Sequence, residues 1–133
     1  MDREGALWFE IDGGSMRPFL RAGDRVLVRS CSADTLACGD LVLLTEADTL
    51  CLHRVMATGR RNGRRWLRTK GDGCGRWDLP VEAGSVVGKG VMVQRGNRLL
   101  DLDAWTGRVL GVFCLFGSVF LGLGLRLKWR LQA

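Results

Sequence analysis

The chain has 133 residues, 47% hydrophobic and 26% charged, which is enough for one domain with a real core and excludes a disordered chain. Nineteen glycines against two prolines indicate many tight turns, and a formal net charge of +6 favours anionic surroundings, membrane surface or nucleic acid, without choosing between them. Five cysteines (Cys31, Cys38, Cys51, Cys74 and Cys114) are odd in number and fit no zinc-ribbon spacing, so they read as mostly free thiols in a reducing compartment. The opening Met1-Asp2-Arg3-Glu4-Gly5 has no apolar core behind a basic start, and no cleavable secretion signal is expected.

Taken in chain order, residues 7–11, 25–28, 40–44, 50–56, 65–69 and 86–93 are short strand candidates, the last bulged by its glycines. Gly23-Asp24, Gly39-Asp40 and Gly96-Asn97 mark turns, and Asn62-Gly63 is a strong hairpin signal because both residues tolerate positive φ. The pattern predicts a mostly β domain, antiparallel or mixed, over residues 1–104. Residues 105–133 differ. From Val109 to Leu125 there is no charged side chain, and Ser118 is the only clearly polar one. As a helix this stretch would be about 25 Å long, slightly short of a bilayer's ~30 Å hydrocarbon core. A small β domain could hardly cover a helix that is apolar all round, so a C-terminal apolar helix in or on a membrane is expected, with a helix buried in the core or against a partner as the alternative. Arg126, Lys128 and Arg130 would reach the headgroups.

Three segments carry potential chemistry. Gly13-Gly14-Ser15-Met16-Arg17-Pro18 follows the first strand candidate. A serine hydroxyl becomes a nucleophile when a base takes its proton and N–H donors await the oxyanion, and glycines before it let backbone approach substrate closely. His53, the only histidine, lies in a strand candidate on the face shared with Cys51 and Val55, and imidazole is the usual general base near neutral pH. Thr69-Lys70-Gly71-Asp72-Gly73-Cys74-Gly75-Arg76-Trp77-Asp78 offers two carboxylates, Asp72 and Asp78, either of which could orient the imidazole. Individually each segment also reads blandly, as a Gly-Ser turn, a lone strand histidine and a glycine-rich loop.

Together, Gly14-Ser15-Met16-Arg17-Pro18 with Gly23-Asp24, then Gly39-Asp40, His53-Arg54-Val55, Thr69-Lys70-Gly71-Asp72 and Val87-Gly88-Lys89 resemble the successive boxes of signal peptidase I. The histidine resembles the archaeal and endoplasmic-reticulum branch; the usual bacterial branch has lysine there. The resemblance covers roughly residues 7–93 and extends to the self-cleaving repressor peptidases, which share the β fold. It implies a serine endopeptidase with Ser15 as nucleophile, His53 as general base, Asp78 as the preferred third member and Asp72 as a nearby essential or structural carboxylate. It further implies that Gly14, Met16 and Pro18 shape the substrate groove, and that cleavage of a peptide or precursor protein follows a small residue. No cofactor or metal is implied. Two departures stand out: the family's N-terminal membrane helix has no counterpart before Ser15, and Gly73 stands where the motif often has asparagine.

Other readings are weaker. Arg60, Arg61, Arg64, Arg65, Arg68 and Lys70 cluster at a hairpin tip, but aromatics beyond Trp66 and Trp77 are lacking, so no nucleic-acid partner is expected. A zinc site from Cys51, His53 and Cys74 would take the base out of catalysis. Room for a DNA-binding domain before the serine is lacking, which disfavours a repressor. The principal non-enzyme alternative is a catalytically inactive pseudopeptidase that binds peptides. Membrane association is expected through residues 109–125, with the cytoplasmic face preferred.

Overall fold

The computed structural model describes residues 5–103 and 130–131. Among the described residues nine strands form one antiparallel sheet: β1 (Ala6–Glu10), β2 (Arg25–Ser30), β3 (Leu41–Glu46), β4 (Thr49–Arg61), β5 (Arg64–Lys70), β6 (Val81–Glu82), β7 (Val86–Arg95), β8 (Arg98–Asp101) and β9 (Arg130–Leu131). Short 3₁₀ turns at Ala33–Thr35 and Ala83–Ser85 are the helical pieces among the described residues. The sheet order is β1-β2-β7-β3-β4-β5-β6, with β8 on β7 and β9 on β8. The expected β domain is therefore present, and its antiparallel option is the one adopted.

All six expected strands form, with shifted ends. The fourth is the most extended, β4 running to Arg61, where Asn62 and Gly63 close the hairpin at φ +53° and +77°. β6 escaped the sequence pattern because it is two residues long and follows Pro80, which reads as a breaker. β7 holds the sheet together, pairing with β2, β3 and β8. Its register slips opposite Leu27/Val28 and Leu43/Leu44, leaving Val91 and Val87 as the extra residues. Both bulges sit beside glycines, and a Cβ on Gly88 would stand 2.6 Å from the Arg29 carbonyl oxygen, so close strand approach requires glycine there.

β3 is apolar on both faces, and that divides the core. Leu41 and Leu43 join Met16, Phe19, Leu20, Val26, Val28, Val93 and Leu100 on one side. Val42 and Leu44 join Leu36, Val55 and Leu67 on the other. Strict alternation along a strand sends neighbouring side chains to opposite faces, so a continuous apolar run marks a strand covered twice. Arg54, only 1% exposed, is held by Asp72 through Nε–Oδ1 (2.8 Å) and Nη2–Oδ2 (2.7 Å), donates to the Gly39 carbonyl, and lies over the Phe19 ring.

The expected C-terminal helix over 105–133 is not supported. Within that region the described residues are Arg130–Leu131, and these form a strand: Arg130 pairs with Leu99 and Leu131 with Arg98. Backbone pairing to the open edge of β8 satisfies groups that a helix would satisfy internally. Residues 109–125, where the apolar span was expected, lie outside the described residues. Among the described residues no helix is long and apolar enough to cross a membrane.

Candidate active site

The Ser15 turn is fixed from below by the core. Met16, Phe19 and Leu20 are buried, while Ser15 is exposed at the tip. The Arg17 amide donates to the Gly14 carbonyl (3.1 Å) and the Leu20 amide to the Met16 carbonyl (2.8 Å), so one apolar anchor and two short bonds set the direction of the serine.

A second turn, residues 71–74, is locked against the first. The Gly73 amide donates to the Ser15 carbonyl (2.8 Å), and the Asp72 amide approaches Met16 Sδ (3.4 Å). A Cβ on Gly73 would stand 2.8 Å from the Arg17 carbonyl oxygen. A Cβ on Gly71 would stand 2.5 Å from the Ser15 carbonyl oxygen and 3.1 Å from His53 Nε2. Gly71 is thus where the serine turn and the imidazole converge, and only a residue without a side chain admits both.

His53 projects from β4. Its Nδ1 lies 2.5 Å from Asp78 Oδ2. An ionised carboxylate only accepts, so Nδ1 carries the proton and Nε2, on the Gly71 side, carries the lone pair. Asp78 is itself pinned to β5: its amide donates to the Thr69 carbonyl (2.7 Å), its carbonyl accepts from Arg68 Nε (3.1 Å), and its Oδ2 accepts from Thr69 Oγ1 (2.8 Å). The Asp78–His53 pair is therefore oriented by hydrogen bonds that do not depend on substrate. The Ser15 hydroxyl makes no hydrogen bond to His53 among the described residues.

The remaining sequence candidates fall into place around this centre. Asp72 is committed to Arg54 and does not meet His53. Lys70 pairs across from Arg54, while Thr69 pairs across from Val55, so Thr69 shares the His53 face of the sheet and Lys70 takes the other. A cleft of about 310 Å³ is lined by Ser15 together with Phe9, Ile11, Met16, Leu50 and Leu52. Of the three expected groove residues, Met16 lines this cleft. Gly14 accepts the bond that closes the serine turn, and Pro18 is exposed outside it.

Among the described residues Cys31, Cys38, Cys51 and Cys74 are free. Burial, reinforced by the charges of Glu46 and Asp78 and by Cys74, pushes the Cys51 thiol up to about 11, which keeps it protonated at neutral pH. Cys51, His53 and Cys74 do not make a metal-binding group among the described residues.

Thr69 and Gly71 were quoted in the sequence as parts of a motif without a role. Period-two alternation along β5 was the signal for Thr69, since it faces the His53 side if the Asn62-Gly63 hairpin is in register. Nothing local marked Gly71. No protein-family model matches the chain, and comparison with curated proteins returns no match.

Proposed function

We propose that this protein is a serine endopeptidase of the signal-peptidase type, acting on an extended peptide or precursor protein laid in the cleft beside Ser15. The observation that carries this reading is the His53–Asp78 contact with Nε2 directed to the side of the Ser15 turn. In the acylation step His53 Nε2 takes the Ser15 hydroxyl proton as Oγ attacks the scissile carbonyl carbon. The C–N bond then breaks, the imidazolium gives that proton to the leaving amine, and the acyl group stays on Ser15. Water, deprotonated by the same nitrogen, releases the acid product. Asp78 holds the tautomer and stabilises the cation without taking the proton. The Ser15 amide, which donates to no acceptor among the described residues, is available to the oxyanion. Cleavage after a small residue rests on the family resemblance alone.

The reading includes association with a membrane through residues 109–125, with the cytoplasmic face preferred.

The test is mass spectrometry of a candidate precursor incubated with the full chain in detergent. One internal bond is expected to be cut, and Ser15→Ala and His53→Ala are each expected to lower the rate by several orders of magnitude while remaining folded. Full activity in a folded Ser15→Ala protein would end the serine-peptidase reading. The missing Ser15–His53 hydrogen bond favours one alternative, a pseudopeptidase that binds peptide without turnover. Saturable peptide binding with no cleavage by the unaltered protein would select it.

A further inference from the structure

The arginines at the β4–β5 hairpin are not used by the proposed chemistry, and the fold gives them a definite setting. Arg61 pairs with Arg64 and Arg60 with Arg65 across the hairpin. Arg61, Arg64, Arg65 and Arg68 line a cleft of about 810 Å³, which Trp66 and Glu82 also line. Glu82 is the only carboxylate among these lining residues. Arg60 is neutralised by Asp34 (2.9 Å), and Arg65 donates to the Leu36 carbonyl. For Arg61 and Arg64 there is no acidic partner among the described residues. Arginines lining one cleft, two of them without an acidic partner among the described residues, attract anionic oxygens, which a guanidinium group binds in bidentate fashion.

The chain just before Pro80 exposes apolar side chains: Trp77 is 44% exposed and Leu79 81% exposed, and they flank Asp78, whose side chain turns inward to His53 and Thr69. The Arg68 guanidinium lies over the Trp77 ring at 5.2 Å, joining the basic and apolar parts of the surface. An exposed leucine and tryptophan beside arginines match a layered partner, with anionic headgroups outside and acyl chains beneath. A nucleic acid would use the charge but offers nothing to Leu79, and the Trp77 face toward Arg68 is already covered.

We propose that the β4–β5 hairpin and the 76–80 loop form a docking surface for an anionic lipid bilayer, with Arg61, Arg64 and Arg68 at the headgroups and Trp77 and Leu79 in the interface. The surface includes none of residues 109–125, and binding there requires no catalysis, so it stands or falls independently of the peptidase reading. Docking would set the loop that carries Asp78 against the membrane.

The experiment is cosedimentation of the full chain with vesicles of phosphatidylcholine alone and of phosphatidylcholine with phosphatidylglycerol. Partitioning is expected to be stronger on the anionic vesicles by about tenfold or more and to weaken with added salt. Arg61→Gln/Arg64→Gln is expected to remove most of that difference. Arg25→Gln/Arg29→Gln deletes the same charge on β2, near the far edge of the sheet, and is expected to preserve it. Leu79→Ser is expected to weaken anionic binding further, with circular dichroism unchanged. Equal binding to both vesicle types, equal loss in the two double variants, or an Arg61- and Arg64-dependent preference for single-stranded RNA over anionic vesicles would each overturn the proposal.

Discussion

Two aspartates of one loop, Asp72 and Asp78, differ in what each one touches. Asp72 neutralises a guanidinium that is almost wholly out of water. Removing its charge strands Arg54, and Asp72→Asn is expected to cost about 3 kcal/mol, read as a lower midpoint in chemical denaturation. Asp78 is more exposed and is paired with His53. Asp78→Asn is expected to leave the midpoint nearly unchanged and to lower the cleavage rate on the order of 10³–10⁴-fold, because the imidazole loses its tautomer control. The reverse pattern would exchange their roles. Asp24 gives a pH-dependent counterpart. Burial opposes its ionisation, but hydrogen bonds from Arg95 and the Arg21 amide, with both guanidinium charges, outweigh burial and hold its carboxyl below the usual carboxylate range. A lowered folded value means that its stabilising effect is complete above the unfolded pKa of about 3.9 and is lost as pH falls through the folded value. Denaturation of wild type and Asp24→Asn is expected to differ most at neutral pH and to converge in acid.

At the scale of elements, the site is an encounter between two turns and two strands. The 12–20 and 71–74 turns touch backbone to backbone, and the β4–β5 hairpin brings His53 to the face that carries Thr69. Gly71 is the tightest point. In Gly71→Ala the new methyl meets a backbone oxygen that cannot swing aside, so the serine turn must shift. A displacement near 1 Å at a reacting group costs roughly 10²-fold in rate. The expected outcome is therefore a folded protein with kcat down about that much. Gly84→Ala, which would meet nothing within 4 Å, serves as the neutral comparison. Wild-type kcat in Gly71→Ala would mean that the two turns are not coupled in catalysis.

For the whole molecule, both apolar clusters are built from residues 16–100, and the candidate site ends at Asp78. A chain ending at Asp103 is accordingly expected to keep its β circular dichroism and to cleave a soluble peptide. It would lose only the two-residue pairing of β9 on β8 from the described fold. Loss of carbonate-resistant membrane association in that truncated chain would locate the association beyond Asp103. Unfolding on truncation would instead make the C-terminal region part of the core.

Local chemistry determined much of this protein without any tertiary information. Alternating apolar runs gave the strands, Asn62-Gly63 gave the hairpin through two residues that accept positive φ, and the glycines of residues 86–93 gave the bulges of β7. Ser15, His53 and the two aspartates were visible as reactive groups in suitable loops and strands. What the chain could not reveal locally was which carboxylate reaches the imidazole, because Asp72 and Asp78 lie in the same loop and the choice depends on Arg54 being buried beside one of them. Nor could it reveal that Arg130–Leu131 pairs with β8, because a strand of two residues has no periodicity and is specified only by the open edge it meets. Short-range pattern fixes conformation where side-chain period and backbone sterics suffice. Partners distant in sequence are selected only when the sheet has closed around them.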